Sequence, residues 1–214
     1  MRSLLTSRRL AAVALFSAFV CAGEMASNVE VRAADREVLR PVDKGWLGRI
    51  EDQLNTVGTL KAHFRQIAPD GKETTGTLWL SRPGRMRFEY DSPSPLLLVA
   101  NDGKFVFQDR QLDQTTEIPL DRTPLGLLLG AHVAFSGNVS VTSFDHKDGD
   151  ILVTVVRTAS PGDGSLTLRF SEKPLALMSW TVIDAQGHRT EVVLSDIQYG
   201  VGMPDSLFKL PQGD

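Results

Sequence analysis

A single cysteine, two tyrosines and no basic surplus are what this 214-residue chain has least of, and each shortage excludes something. One thiol can neither close an internal disulfide nor build a cysteine-rich zinc site. Lys plus Arg number 23 against 26 Asp plus Glu, a formal net charge of −3. With no positive excess to neutralise phosphates, nucleic acid is excluded as a partner. The chain also lacks a G-x-S-x-G elbow, H-E-x-x-H, C-x-x-C, a P-loop and G-x-G-x-x-G, the local signatures of several hydrolase, protease, redox and nucleotide-binding sites. His63, His132, His146 and His188 are scattered and read as surface residues rather than ligands. No catalytic residue, metal site or cofactor is assigned, and the chain reads as a non-enzyme. What is present, 42% apolar and 23% charged residues, is the composition of a soluble globular protein of one domain.

The amino terminus reads as an export signal. Arg2, Arg8 and Arg9 precede an apolar run over residues 10–23 that is too short for a comfortable membrane span. Small residues at Val20 and Ala22 place cleavage after Ala22, with Val31-Arg32-Ala33 offering a second site after residue 33. An uncleaved anchor is the alternative. Cys21 is preceded by Ala18, Phe19 and Val20, which does not match a lipidation signal. Cleavage removes three arginines, the cysteine and no acid, leaving an acidic, thiol-free chain suited to the periplasm. Residues 23–40 read as a flexible leader, and residues 41–214 as one domain.

Within that domain Trp46, Leu47, Ile50, Leu54 and Val57 recur at helical spacing, predicting a helix over 42–57 with Asp43 as N-cap and Gly58 as stop. From Thr59 the period becomes two. Turn signals such as Asp70-Gly71, Pro83-Gly84, Asp102-Gly103 and Asp148-Gly149 separate short alternating runs. Strands are expected near 60–68, 73–82, 85–91, 95–101, 104–109, 113–119, 138–147, 150–158, 164–171, 175–184 and 188–198. Tight turns between successive strands make an antiparallel meander rather than a βαβ fold. Thr123-Pro124-Leu125-Gly126-Leu127-Leu128-Leu129-Gly130 interrupts the strands as a short apolar helix opened by a cap and a proline. It is either a core plug or a lid over a cavity.

Residues 76–101 carry one anomaly. Leu78, Leu80 and Arg82 share a face, as do Met86, Phe88 and Tyr90, so Arg82 ends an apolar row. A guanidinium there must find partners or snorkel to water.

Phe64-x-Gln66, Gly76-x-Leu78-Trp79-Leu80-x-Arg82-Pro83, Arg87-Phe88-x-Tyr90-x-x-Pro93, Asn101-Asp102-Gly103, Gln114-Thr115, the Pro124–Gly130 segment and Phe208-x-Leu210-Pro211-Gln212-Gly213 follow one another in order. Together they resemble the LolA family of periplasmic lipoprotein carriers. The resemblance implies a mainly antiparallel, half-open β-barrel of about eleven strands, with an N-terminal helix and a short helical lid. It implies a chaperone that binds acyl chains of lipoproteins and carries them from an inner-membrane LolCDE-type exporter to an outer-membrane LolB-type receptor, working as a monomer. By the same resemblance Arg82 latches the lid, Pro124–Gly130, through its carbonyls. Met86 stands where better-known members carry a bulky aromatic, and Gly126 weakens the lid helix by about 1 kcal/mol relative to Ala.

The physics of that task asks for an apolar cavity and a release device. An exposed acyl chain costs about 0.8 kcal/mol per CH₂, and an incompletely filled barrel can shelter it. A guanidinium can hold two carbonyls through hydrogen bonds of roughly 1.5–3 kcal/mol. Phe64, Leu78, Leu80, Met86, Phe88, Tyr90, Leu125, Leu127 and Leu128 are the expected cavity lining. A lipid-binding or envelope-stress-sensing module of the same fold, which does not relay lipoproteins, is the competing reading.

Overall fold

The computed structural model describes residues 40–123 and 125–211; the signal sequence, its cleavage sites and most of the leader lie outside them. Helix α1 (Pro41–Thr56) opens the domain. It begins two residues before the expected cap: Arg40 is the N-cap and Asp43 stands at the third helical position. The Asp43 carboxylate accepts from the Arg40 backbone N–H at 2.9 Å and from its guanidinium at 2.9 and 3.0 Å. An acid in the first turn satisfies a free backbone donor and complements the helix dipole. At the other end the helix closes at Val57, whose N–H reaches Leu54 O.

Eleven strands follow: β1 (Thr59–Ile67), β2 (Glu73–Ser81), β3 (Arg85–Tyr90), β4 (Leu96–Asn101), β5 (Lys104–Asp109), β6 (Gln114–Pro119), β7 (Val139–Lys147), β8 (Asp150–Arg157), β9 (Gly164–Glu172), β10 (Leu175–Asp184) and β11 (Arg189–Tyr199). All eleven expected strands are present. They form one antiparallel sheet in the order β6-β5-β4-β3-β2-β1-β11-β10-β9-β8-β7. The sheet is open, with β6 and β7 as its two edges, and the first and last strands pair at its centre. Consecutive in sequence yet at opposite edges, β6 and β7 must be joined by a segment that crosses from one side of the sheet to the other. That crossover, residues 120–138, contains the one-turn helix α2 (Gly126–Leu129).

Alternation sorts the side chains. Leu60, Ala62 and Phe64 of β1, Leu78 and Leu80 of β2, and Met86, Phe88 and Tyr90 of β3 are buried on the concave face. Leu47, Ile50 and Leu54 of α1 pack against them, each at a helical spacing of three or four. Burying one such side chain is worth about 1.5–3 kcal/mol. Phe64 meets Phe88 and Tyr90 edge-on at 5.0 and 5.1 Å. The neighbouring Gly76 makes room: a Cβ there would collide with the Phe64 ring and with Glu89 O.

Strand β4 departs from one-sided burial. Leu97 and Val99 are as buried as Leu96, Leu98 and Ala100. The carboxy-terminal 3-10 turn (Asp205–Phe208) covers β3 and β4 from outside. Arg85 donates to Asp205 at 2.6 Å, Arg87 to Leu207 O at 3.3 Å, and Asn101 to Phe208 O at 3.1 Å.

Three β-bulges interrupt the ladders, at Val141/Ser143, Leu177/Ser179 and opposite Lys61/His63, all involving strands of the half after the crossover.

Candidate functional site

A small cavity lies between the concave face and α1. Its walls are apolar: Leu54 and Val57 of α1, Leu60, Leu78, Leu80 and Met86 of the first three strands, Leu128 of α2, and Leu177, Trp180 and Leu194 of β10 and β11. Gln53, Arg82 and Tyr199 supply its polar tips. The void is about 30 Å³, room for about two water molecules. The expected acyl-sized hollow is not present among the described residues; side chains of α1, α2 and the sheet pack where it was expected.

Of the residues expected at the site, Leu78, Leu80, Arg82, Met86 and Leu128 meet in the cavity wall. Phe64, Phe88 and Tyr90 lie elsewhere in the concave core, fully packed, and do not line this void. Tyr90 donates to Gln66 Oε1 at 2.8 Å, and burial pushes its phenol far above the ordinary range. Leu125 is buried and Leu127 half-buried against the core, both outside the cavity wall.

Arg82 follows the last residue of β2, with its backbone N–H bonded to Gly58 O at 2.8 Å. Its Nε is buried without a hydrogen-bond partner, and burial lowers the guanidinium pKa. The expected bonds from this side chain to lid carbonyls do not form among the described residues. A backbone group two residues on takes that place: Gly84 N–H donates to Leu129 O at 2.8 Å. Thus the turn between β2 and β3 holds α2 by its main chain, while the arginine points an unsatisfied donor into an apolar wall.

The segment expected to be a capped helix is shorter than its sequence implies. Helix α2 starts after Leu125, and the Thr123 hydroxyl turns back to Leu120 O at 2.8 Å instead of capping. Gly126, read as a weak helix former, is required by space: a Cβ there would stand 2.6 Å from Leu120 O.

Two residues of α1 that pattern reading passed over fasten the crossover. Asn55 Nδ2 donates to Val133 O at 2.9 Å and its Oδ1 accepts from Val133 N–H at 2.8 Å. Glu51 accepts from Phe135 N–H at 2.5 Å. Val133 and Phe135 are buried at this seam. An amide paired with both polar groups of one residue imitates a strand ladder; nothing in the local sequence around Asn55 announces a partner 78 positions away.

The cavity residues of β10 and β11 were missed for a definable reason. The bulges place Leu177 with Trp180, and Leu194 with Tyr199, on one face at odd spacings that a period of two assigns to opposite faces.

Among the described residues no helix is long and apolar enough to cross a membrane, and no group of His, Cys, Asp and Glu is arranged to hold a metal ion.

The outer-membrane lipoprotein carrier protein of Pseudomonas aeruginosa is 32% identical over 166 residues, which cover 73% of this chain and 78% of that protein. The protein of the same description from Azotobacter vinelandii is 31% identical over 187 residues, 80% of this chain and 87% of its own. A crystal structure of a LolA superfamily protein from Nitrosomonas europaea aligns over 76% of this chain and 97% of its own, at 10% identity and a TM-score of 0.42. The profile of the family described as outer membrane lipoprotein carrier protein LolA matches residues 55–211, nearly the whole described domain, and the chain belongs to that family.

Proposed function

We propose that this protein is a periplasmic chaperone whose cavity, widened by displacement of α1 and α2, shelters the acyl chains of lipoproteins on their way from the inner to the outer membrane. The observation that carries the reading is an apolar concave face covered by α1 and α2, which rest on it through apolar side chains and belong to no sheet ladder. Family membership supports the carrier role. In this reading residues 1–22, or 1–33, direct export and are removed. The protein works as a monomer. An inner-membrane LolCDE-type exporter loads it and an outer-membrane LolB-type receptor unloads it. Besides the cavity walls, Phe64, Phe88, Tyr90, Leu125 and Leu127 become lining once the cover lifts, since all five belong to or pack on the concave core.

Arg82 is the release element. A chain drawn into the cavity packs methylenes against a guanidinium already stripped of part of its water, and deepens that loss. The charge therefore weakens the loaded state relative to the closed, empty one. Arg82→Leu removes this penalty. Incubated with lipoprotein-loaded spheroplasts, the variant should take up lipoprotein as the wild type does. Transferred to outer-membrane vesicles, it should release several-fold less. Release at the wild-type rate refutes the role of Arg82; failure of the wild type itself to bring lipoprotein into the soluble fraction refutes the carrier reading.

A further inference from the structure

Strand β11 changes face at its midpoint, and one residue brings this about. Val192 and Leu194 are buried on the concave side, and Leu194 is part of the cavity wall. Strict alternation would next turn Asp196 and Gln198 inward. Instead the register with β1 slips between Lys61 and His63, and Asp196 adopts a φ of +50°. Beyond the slip Ile197 packs on the core, and Tyr199, opposite Leu60, reaches the cavity. A bulge adds one residue to one strand and so exchanges the two faces beyond it, and aspartate tolerates the left-handed conformation better than most side chains. Without it a glutamine would stand where the tyrosine stands.

The re-aimed ring has an unusual position. Tyr199 is 46% exposed, whereas Leu54, Leu60, Leu78 and Met86 of the same wall are below 9%. It therefore occupies the rim, with its ring in the wall and its edge in solvent. Burial of part of the ring raises the phenol pKa, and no hydrogen bond among the described residues engages the hydroxyl. An amphipathic side chain at such a boundary matches a ligand that is hydrocarbon on one side and polar on the other. A glycerol-linked acyl chain has that division: methylenes along its length, ester oxygens where it joins glycerol.

We propose that Tyr199 is the mouth residue of the cavity, its ring packing on the methylenes nearest the glycerol and its hydroxyl donating to an acyl-ester oxygen. The inference rests on the carrier reading and adds to it the direction in which cargo lies: chain ends inward, ester end at β11.

Equilibrium binding of two fluorescent probes tests it, one a triacylated lipopeptide and the other a plain alkyl chain without ester oxygens. Tyr199→Phe should weaken the lipopeptide about threefold to tenfold, the worth of one hydrogen bond, and leave the alkyl probe within twofold of wild type. Tyr199→Ala should weaken both. Thermal melts establish that each variant is folded, and the phenylalanine variant, which keeps the ring, stays decisive if the alanine variant is not. Lipopeptide affinity unchanged in Tyr199→Phe, or equal loss of both probes, overturns the assignment while leaving the carrier reading standing. A wild type that binds neither probe overturns the carrier reading and the assignment with it.

Discussion

Polar side chains that join the concave core do so in opposite circumstances. Tyr90 and Gln66 satisfy each other at 2.8 Å in a fully packed environment. Removing the hydroxyl strands the Gln66 acceptor, and an unmet buried group costs about 1–3 kcal/mol. Tyr90→Phe should accordingly lower the urea midpoint with an unchanged slope. Arg82 already bears such a cost, since its Nε has no partner. Arg82→Leu should therefore raise the thermal midpoint of the empty protein, a sign opposite to that of a side chain latching the lid through hydrogen bonds. Both positions were visible in the sequence as members of an apolar row, and Arg82 as its exception. What periodicity could not tell is that the turn's own amide, at Gly84, would hold α2 and leave the arginine unmatched.

Among the elements, those before the crossover were the more legible. Strands β2 to β6 run without register slips, so an alternation of two assigns their faces correctly, as Leu78, Leu80 and Met86 illustrate. Strands β7, β10 and β11 each take part in a bulge, and beyond a bulge the same rule puts every residue on the wrong face. Leu177 and Tyr199 stand beyond such slips, where alternation alone does not place them on the cavity side. The cover was misjudged differently. Thr123 and Pro124 look like the opening of a helix, yet α2 is a single turn whose start is fixed by the close approach of Gly126 to Leu120 O. Helix propensity favours alanine over glycine by about 1 kcal/mol; here sterics reverse the order, because backbone cannot give way as a flexible side chain can. Gly126→Ala should destabilise the protein by about 1–3 kcal/mol. It should also speed hydrogen exchange at the Gly84 amide, which depends on α2 for its partner. Slower exchange at that amide, with a gain in stability, would show that propensity governs after all.

At the scale of the whole molecule, two carboxylates tie α1 and the β7–β9 end of the sheet to pH. The hydrogen bond from the Arg40 side chain holds the Asp43 carboxyl below the usual carboxylate range, and the bond with the His146 side chain does the same for Glu172. His146 also packs its ring edge-on to Trp46 at 4.7 Å, so the two pairs adjoin. A depressed carboxyl contributes stability that is fully present above the unfolded value near 4 and is lost as pH falls through the lower folded value. Urea denaturation should therefore give a stability from these groups that is flat above about pH 5 and declines below it. Asp43→Asn and Glu172→Gln should each make that acid decline shallower, and a limb unaltered by both substitutions would assign it to other groups.

The crossover over residues 120–138 leaves one more consequence. Since β6 and β7 make no ladder with each other, β1 with β11 alone zips the two halves of the sheet together. A protease nick at the exposed Ser136-Gly137 step would leave all ten strand pairings whole while cutting the strap's covalent tie to β7, so that the hydrogen bonds of Asn55, Glu51 and the Gly84 amide would hold its far end. The severed molecule would behave as a bowl that keeps its shape under a cover hinged at one edge only.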